Sequence, residues 1–146
     1  IEQLKKQKKD FSKIEWNPMK IIMQINLNWR VKLFQDPDSC ELLKMIMQEY
    51  VNYSKKMNFK PIFLFLPQKD DLTFIKNNLH FFKEFQNELK SIKDLILLDV
   101  TDNLLREKNL DDFYSDYSDY GGHFTKYGNK IISELIVKQL KNFNLV

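Results

Sequence analysis

Glycine is almost absent from this chain. Only three of its 146 residues are glycine, and all three, Gly121, Gly122 and Gly128, fall around one of just two histidines, His123. Glycine belongs where the backbone takes a conformation closed to other residues or comes close to another group, so the cluster marks one shaped turn. Cysteine is nearly missing too. The single Cys40 excludes an internal disulfide and a zinc site built from several cysteines. No apolar run approaches the length of a membrane-spanning helix. What is abundant is packing material: 43% of residues are hydrophobic and twelve are phenylalanine, enough for the core of one compact domain over residues 1–146. The net charge of +3 is modest and unevenly spread. Lys5, Lys6, Lys8, Lys9 and Lys13 crowd the first segment, while Asp111, Asp112, Asp116 and Asp119 precede His123. No nucleic-acid-binding motif follows the lysines, so they read as a solvated helix face and no nucleic-acid partner is expected.

The order of elements points to an α/β fold, a mostly parallel sheet flanked by helices. Residues 62–66, Ile-Phe-Leu-Phe-Leu between Pro61 and Pro67, read as a strand covered on both faces. Ile75, Leu79, Phe82, Phe85, Leu89 and Ile92 repeat at helical spacing as a buried stripe and predict one helix over about 72 to 92. Leu95-Ile96-Leu97-Leu98 makes a second strand, ended by Asp99. Such a unit gives parallel neighbours whose following loops open at the same sheet edge, where ligands of open α/β sheets bind. A helix is expected from about 40 to 57, with Asp38 and Glu41 as its capping box, and a final helix capped by Thr125. The stretch Met19–Leu27 fits strand or helix, and strand is the preferred reading.

His80 falls beside Lys76, Lys83 and Asn87 on the polar side of the expected 72 to 92 helix, which makes it a surface residue. His123 has glycines behind it, a helix start ahead and carboxylates nearby in sequence. A general base needs a carboxylate to fix its tautomer, and Asp119 and Asp116 are the local candidates. The bland alternative is a turn histidine satisfied by backbone groups. Ser39 mimics a nucleophile at a helix start, although helix capping explains it with fewer assumptions. Cys40 reads as a small buried apolar residue. The aspartates lack the spacing of a calcium loop, so no metal is expected. The tyrosines and carboxylates of residues 111–120 suit a sugar.

Residues 99–140, from Asp99-Val-Thr-Asp through Gly121-Gly122-His123-Phe124-Thr125 and Gly128-Asn129, resemble the C-terminal block of the SGNH (GDSL-type) hydrolases. Residues 60–72 resemble the strand and loop that precede that block in some members. The resemblance implies a flavodoxin-like core and hydrolysis or transfer of a small-molecule or carbohydrate ester, without a cofactor. It makes His123 the proton acceptor for a serine and Asp119 its orienting carboxylate, with Asp116 second. The family places that aspartate three residues before the histidine, whereas Asp119 stands four before. The family's Gly-Asp-Ser block and oxyanion glycine have no counterpart, because no glycine precedes Gly121. Asn26 is the nearest candidate for the family's oxyanion asparagine. The expectation is a C-terminal part of a longer protein whose serine and first strands lie elsewhere; the alternative is a non-catalytic relative that binds.

Overall fold

The computed structural model describes residues 18–115 and 121–145. Among these the chain forms α1 (Pro18–Gln35), α2 (Pro37–Met57), β1 (Ile62–Phe65), α3 (Lys69–Asn77), α4 (Lys83–Leu89), β2 (Ile96–Asp99), α5 (Thr101–Leu105) and α6 (Lys126–Asn142). A 3-10 turn, Leu110–Asp112, lies between α5 and α6. The fold is mixed α/β around a small parallel sheet.

The strands pair in parallel, with Ile62 opposite Ile96 and Phe65 opposite Asp99. Successive strand side chains point to opposite faces, so each apolar run feeds two cores. Phe63, Phe65 and Leu97 join Leu27, Val31, Met47, Val51 and Phe85 on one face. On the other, Leu64 packs against Leu72, Val100, Leu104, Phe113 and Ile132. Helices therefore cover both faces, the usual setting of parallel strands.

The two sheet edges differ. At the outer edge of β2 the Gln139 side chain of α6 acts as a substitute strand: its Oε1 accepts from Asp99 N at 3.0 Å and its Nε2 donates to Asp99 O at 2.7 Å. In β1, Pro61 O and Phe65 O accept from Ile96 N and Val100 N, so the alternating groups of Ile62 and Leu64 face away from β2. Among the described residues nothing bonds to that outward row.

Three expectations need correction. Met19–Leu27 is helix, not strand: Pro18 opens an uninterrupted 18-residue helix whose Leu27 and Val31 fall on one buried face, four residues apart. The expected 72 to 92 helix is two helices, because Asn78 is extended and Phe81 and Phe82 turn inward. Phe81 and Phe82 are both buried, and the Phe82 ring stacks on Phe65 with centroids 5.3 Å apart. Adjacent residues point about 100° apart on a helix, so one face could not bury both this deeply. Leu79, expected in the buried stripe, is instead 74% exposed. Finally, α2 starts at Pro37 and is capped by Asp36, whose carboxylate accepts from Ser39 N at 2.9 Å, rather than by Asp38 with Glu41.

Candidate functional site

Of the buried polar side chains, Lys69, Asp70, Asp71 and Thr101 follow the carboxyl ends of β1 and β2. Directly after β1, the first turn of α3 buries three consecutive charged residues, Lys69, Asp70 and Asp71. Arg30 of α1 reaches them from forty residues away. Its guanidinium donates to Asp70 Oδ2 at 2.6 Å and to Asp71 Oδ1 at 2.9 Å, with Nε 3.2 Å from the same Asp71 oxygen. Asp71 Oδ2 also accepts from Gln68 N at 2.9 Å, which holds the start of α3. Burial raises the Asp71 pKa above its usual value, against the pull of Gln68 and Arg30. For Arg30, burial pulls the pKa down, but its contacts with Asp71 and Asp70 more than offset this and leave it raised. The cluster therefore fastens α1 to the rim of the sheet, where a planar fork suits two carboxylates better than a lysine would.

The segment bearing His123 is stitched to the same rim. Lys69 N donates to Gly121 O at 2.8 Å, and the Lys69 ammonium reaches Asp111 at 2.6 Å. Ser115 N donates to His123 O and Thr125 N to Phe113 O, both at 2.8 Å, closing an antiparallel bridge between Tyr114 and Phe124. The buried Tyr114 hydroxyl donates to Pro67 O at 2.8 Å, and burial first, then the charges of Asp71 and Asp70, keeps it protonated by raising its pKa.

Two of the clustered glycines now have separate reasons. Gly121 has φ 131°, a conformation side chains resist. At Gly128, a Cβ would overlap the carbonyl oxygen of Phe113, so glycine lets α6 press against the segment before the bridge. Thr125 caps α6 as expected, its hydroxyl accepting from Gly128 N at 2.9 Å.

His123 is exposed on this segment, one residue past Gly122, whose missing Cβ position lies 3.2 Å from Gln68 Cγ. Asp116 and Asp119 lie outside the described residues. Ser39 sits in the first turn of α2, and its hydroxyl donates to Asp36 Oδ2 at 2.5 Å. Asn26 is an exposed residue within α1. Asp99 does end its strand, and its carboxylate accepts from Thr101 N at 2.9 Å and Gln86 Nε2 at 2.8 Å.

His80 is not the surface residue expected. It lies in the turn between α3 and α4, edge-on to Phe82 with centroids 4.5 Å apart. Both ring nitrogens are shielded from solvent without a hydrogen-bond partner. Burial, then the Lys83 charge, lowers its pKa and keeps it neutral. The helix break caused this error, because it turns residues 80–82 inward from the surface expected for a continuous helix. Sequence reasoning also missed Arg30, Asp70 and Asp71. Lys69-Asp70-Asp71 immediately after a strand end was the available signal.

Among the described residues no three His, Cys, Asp or Glu side chains gather as a metal site would need, and no helix is long and apolar enough to cross a membrane. No family model, curated protein or solved structure matches the chain.

Proposed function

We propose that this chain carries the histidine part of a serine-dependent site for hydrolysis or transfer of an acyl ester, as its resemblance to the SGNH hydrolases implies. In this reading His123 takes the proton from a serine hydroxyl as that oxygen attacks the ester carbonyl, and returns it to the departing alcohol. Asp119, or Asp116, holds the imidazole. Water or a second alcohol then releases the acyl group. The serine is one that these 146 residues do not supply in a Gly-Asp-Ser setting.

The observation that carries the reading is the exposed His123 on a segment tied by Lys69 N to Gly121 O beside the carboxyl end of β1. Active groups in open α/β sheets collect at that edge. The proposal extends to a flavodoxin-like core, in which further strands would continue from the open outer edge of β1. Turnover of p-nitrophenyl acetate by the protein with all of its encoded sequence is the test. His123→Ala should cut kcat by about a hundredfold to ten-thousandfold, the usual share of a general base. Equal rates in the two proteins would remove His123 from catalysis.

A second reading, a binding module without turnover, is favoured by the absence of any glycine before Gly121 and hence of the family's nucleophile block. Ester binding without hydrolysis, unchanged by His123→Ala, would select it.

A further inference from the structure

The geometry points to a binding site for an organic ammonium ion with an apolar body, in the cavity between the α1–α2 junction and the start of α4. The cavity holds about 460 Å³, within the range of small-molecule sites. Phe34, with the nearly buried Phe81 and Phe85 behind it, gives the cavity an apolar wall, and Asp36, Glu84 and Glu88 line it as carboxylates.

Charge selects the occupant. Among the described residues of the lining, Lys83 is the one cationic side chain, and it is engaged with Asp102 at 3.4 Å. Glu88 is shared with Lys44 at 3.6 Å, and Lys44 also reaches Glu41. Asp36 and Glu84 have no cationic partner among the described residues. With these partners included, five carboxylates, Asp36, Glu84, Glu88, Glu41 and Asp102, stand against two lysines among the described residues. The Cys40 thiol, which also lines the cavity, senses the same field: burial first, then Glu88 and Asp36, raises its pKa. At the start of α2 two of the first amides are already taken, Ser39 N by the Asp36 carboxylate and Cys40 N by Asp36 O, which weakens its pull on an anion. An apolar wall beside an excess of carboxylates over cations is the chemistry that holds an alkylammonium ion, whereas an anion would meet repulsion.

Three probes of nearly one shape separate these contributions: phenethylamine, charged at neutral pH, 2-phenylethanol and phenylacetate. Titrated into the 146-residue chain at low ionic strength, phenethylamine should shift the amide NMR signals of Cys40 and Phe85. Its Kd should be about threefold to tenfold below that of 2-phenylethanol, the effect expected of exposed charges, with phenylacetate weakest. The double variant Asp36→Asn, Glu84→Gln should erase the difference. Asparagine still caps a helix and Glu84 is exposed, so this variant keeps the fold. Equal binding of the three probes, a preference for phenylacetate, an undiminished preference in the double variant, or no shift up to about 10 mM would each overturn the proposal.

Discussion

Replacing Gly128 with alanine puts a methyl group on the carbonyl oxygen of Phe113, with Phe113 C and Cα only 3.0 Å from the new carbon. These are backbone atoms on both sides, so no rotamer change relieves the overlap. Either the first turn of α6 or the segment at Phe113 must move. The bonds that cross this gap are Thr125 N to Phe113 O at 2.8 Å and Thr125 Oγ1 to Asp112 O at 2.7 Å. Losing one or both costs about 0.5–1.5 kcal/mol each, and overpacking adds about 1–3 kcal/mol. Alanine returns about 1 kcal/mol of helix preference over glycine. The net expectation is a loss of about 2–3 kcal/mol, a fall in Tm of roughly 5–10 °C for a chain of this size. Urea denaturation measures it as a lower midpoint at unchanged slope. Gly122→Ala is the control: its Cβ would meet the flexible Gln68 side chain at 3.2 Å, and a loss under about 1 kcal/mol is expected. A Gly128→Ala protein as stable as wild type would refute the close approach and, with it, this explanation of the glycine.

Arg30→Met should destabilise the fold by about 3–5 kcal/mol at pH 7, because it leaves Asp70 and Asp71 charged and largely buried. The loss should shrink at pH 4, where the raised pKa lets Asp71 take up a proton, and a loss of equal size at both pH values would count against this. For His80, the folded protein holds fewer protons than the unfolded chain, so its contribution is complete above the ordinary value of 6.5 and is lost as pH falls toward the lowered folded value. The groups acting on it are Lys83, Asp99 and Asp102. His80→Phe keeps a ring against Phe82 and should flatten the stability curve below pH 6.5; an unchanged slope in urea midpoints would show that another group titrates there.

The sheet and the last helix were legible because their signals are local. Both strands are short apolar runs bounded by proline or aspartate, and burial of both faces leaves little else for such a run to be. Thr125 announces α6 through a hydroxyl that its own helix uses. Met19–Leu27 misled because α1 is apolar on opposite sides: Leu27 and Val31 enter the core while Ile22, Ile25 and Trp29 remain exposed. A run apolar all round hides the helical period. The break at Asn78–Phe82 was equally hidden, since helical spacing persists through residues that are not helical.

The candidate site divides the same way. Gly121, Gly122, His123 and Gly128 stood out by composition alone, and where that segment docks was a tertiary fact resting on Gly121 O, Pro67 O and Phe113 O. By itself the sequence determined the two strands, the end of α2 and the start of α6, since prolines, a strand-ending aspartate and a capping threonine act over a few residues. Only the tertiary structure decided which distant groups meet, such as Arg30 with Asp70 and Asp71 or Gln139 with Asp99. Those contacts close loops of about forty residues, and the burial that stabilises them exists only once both cores have formed around the sheet.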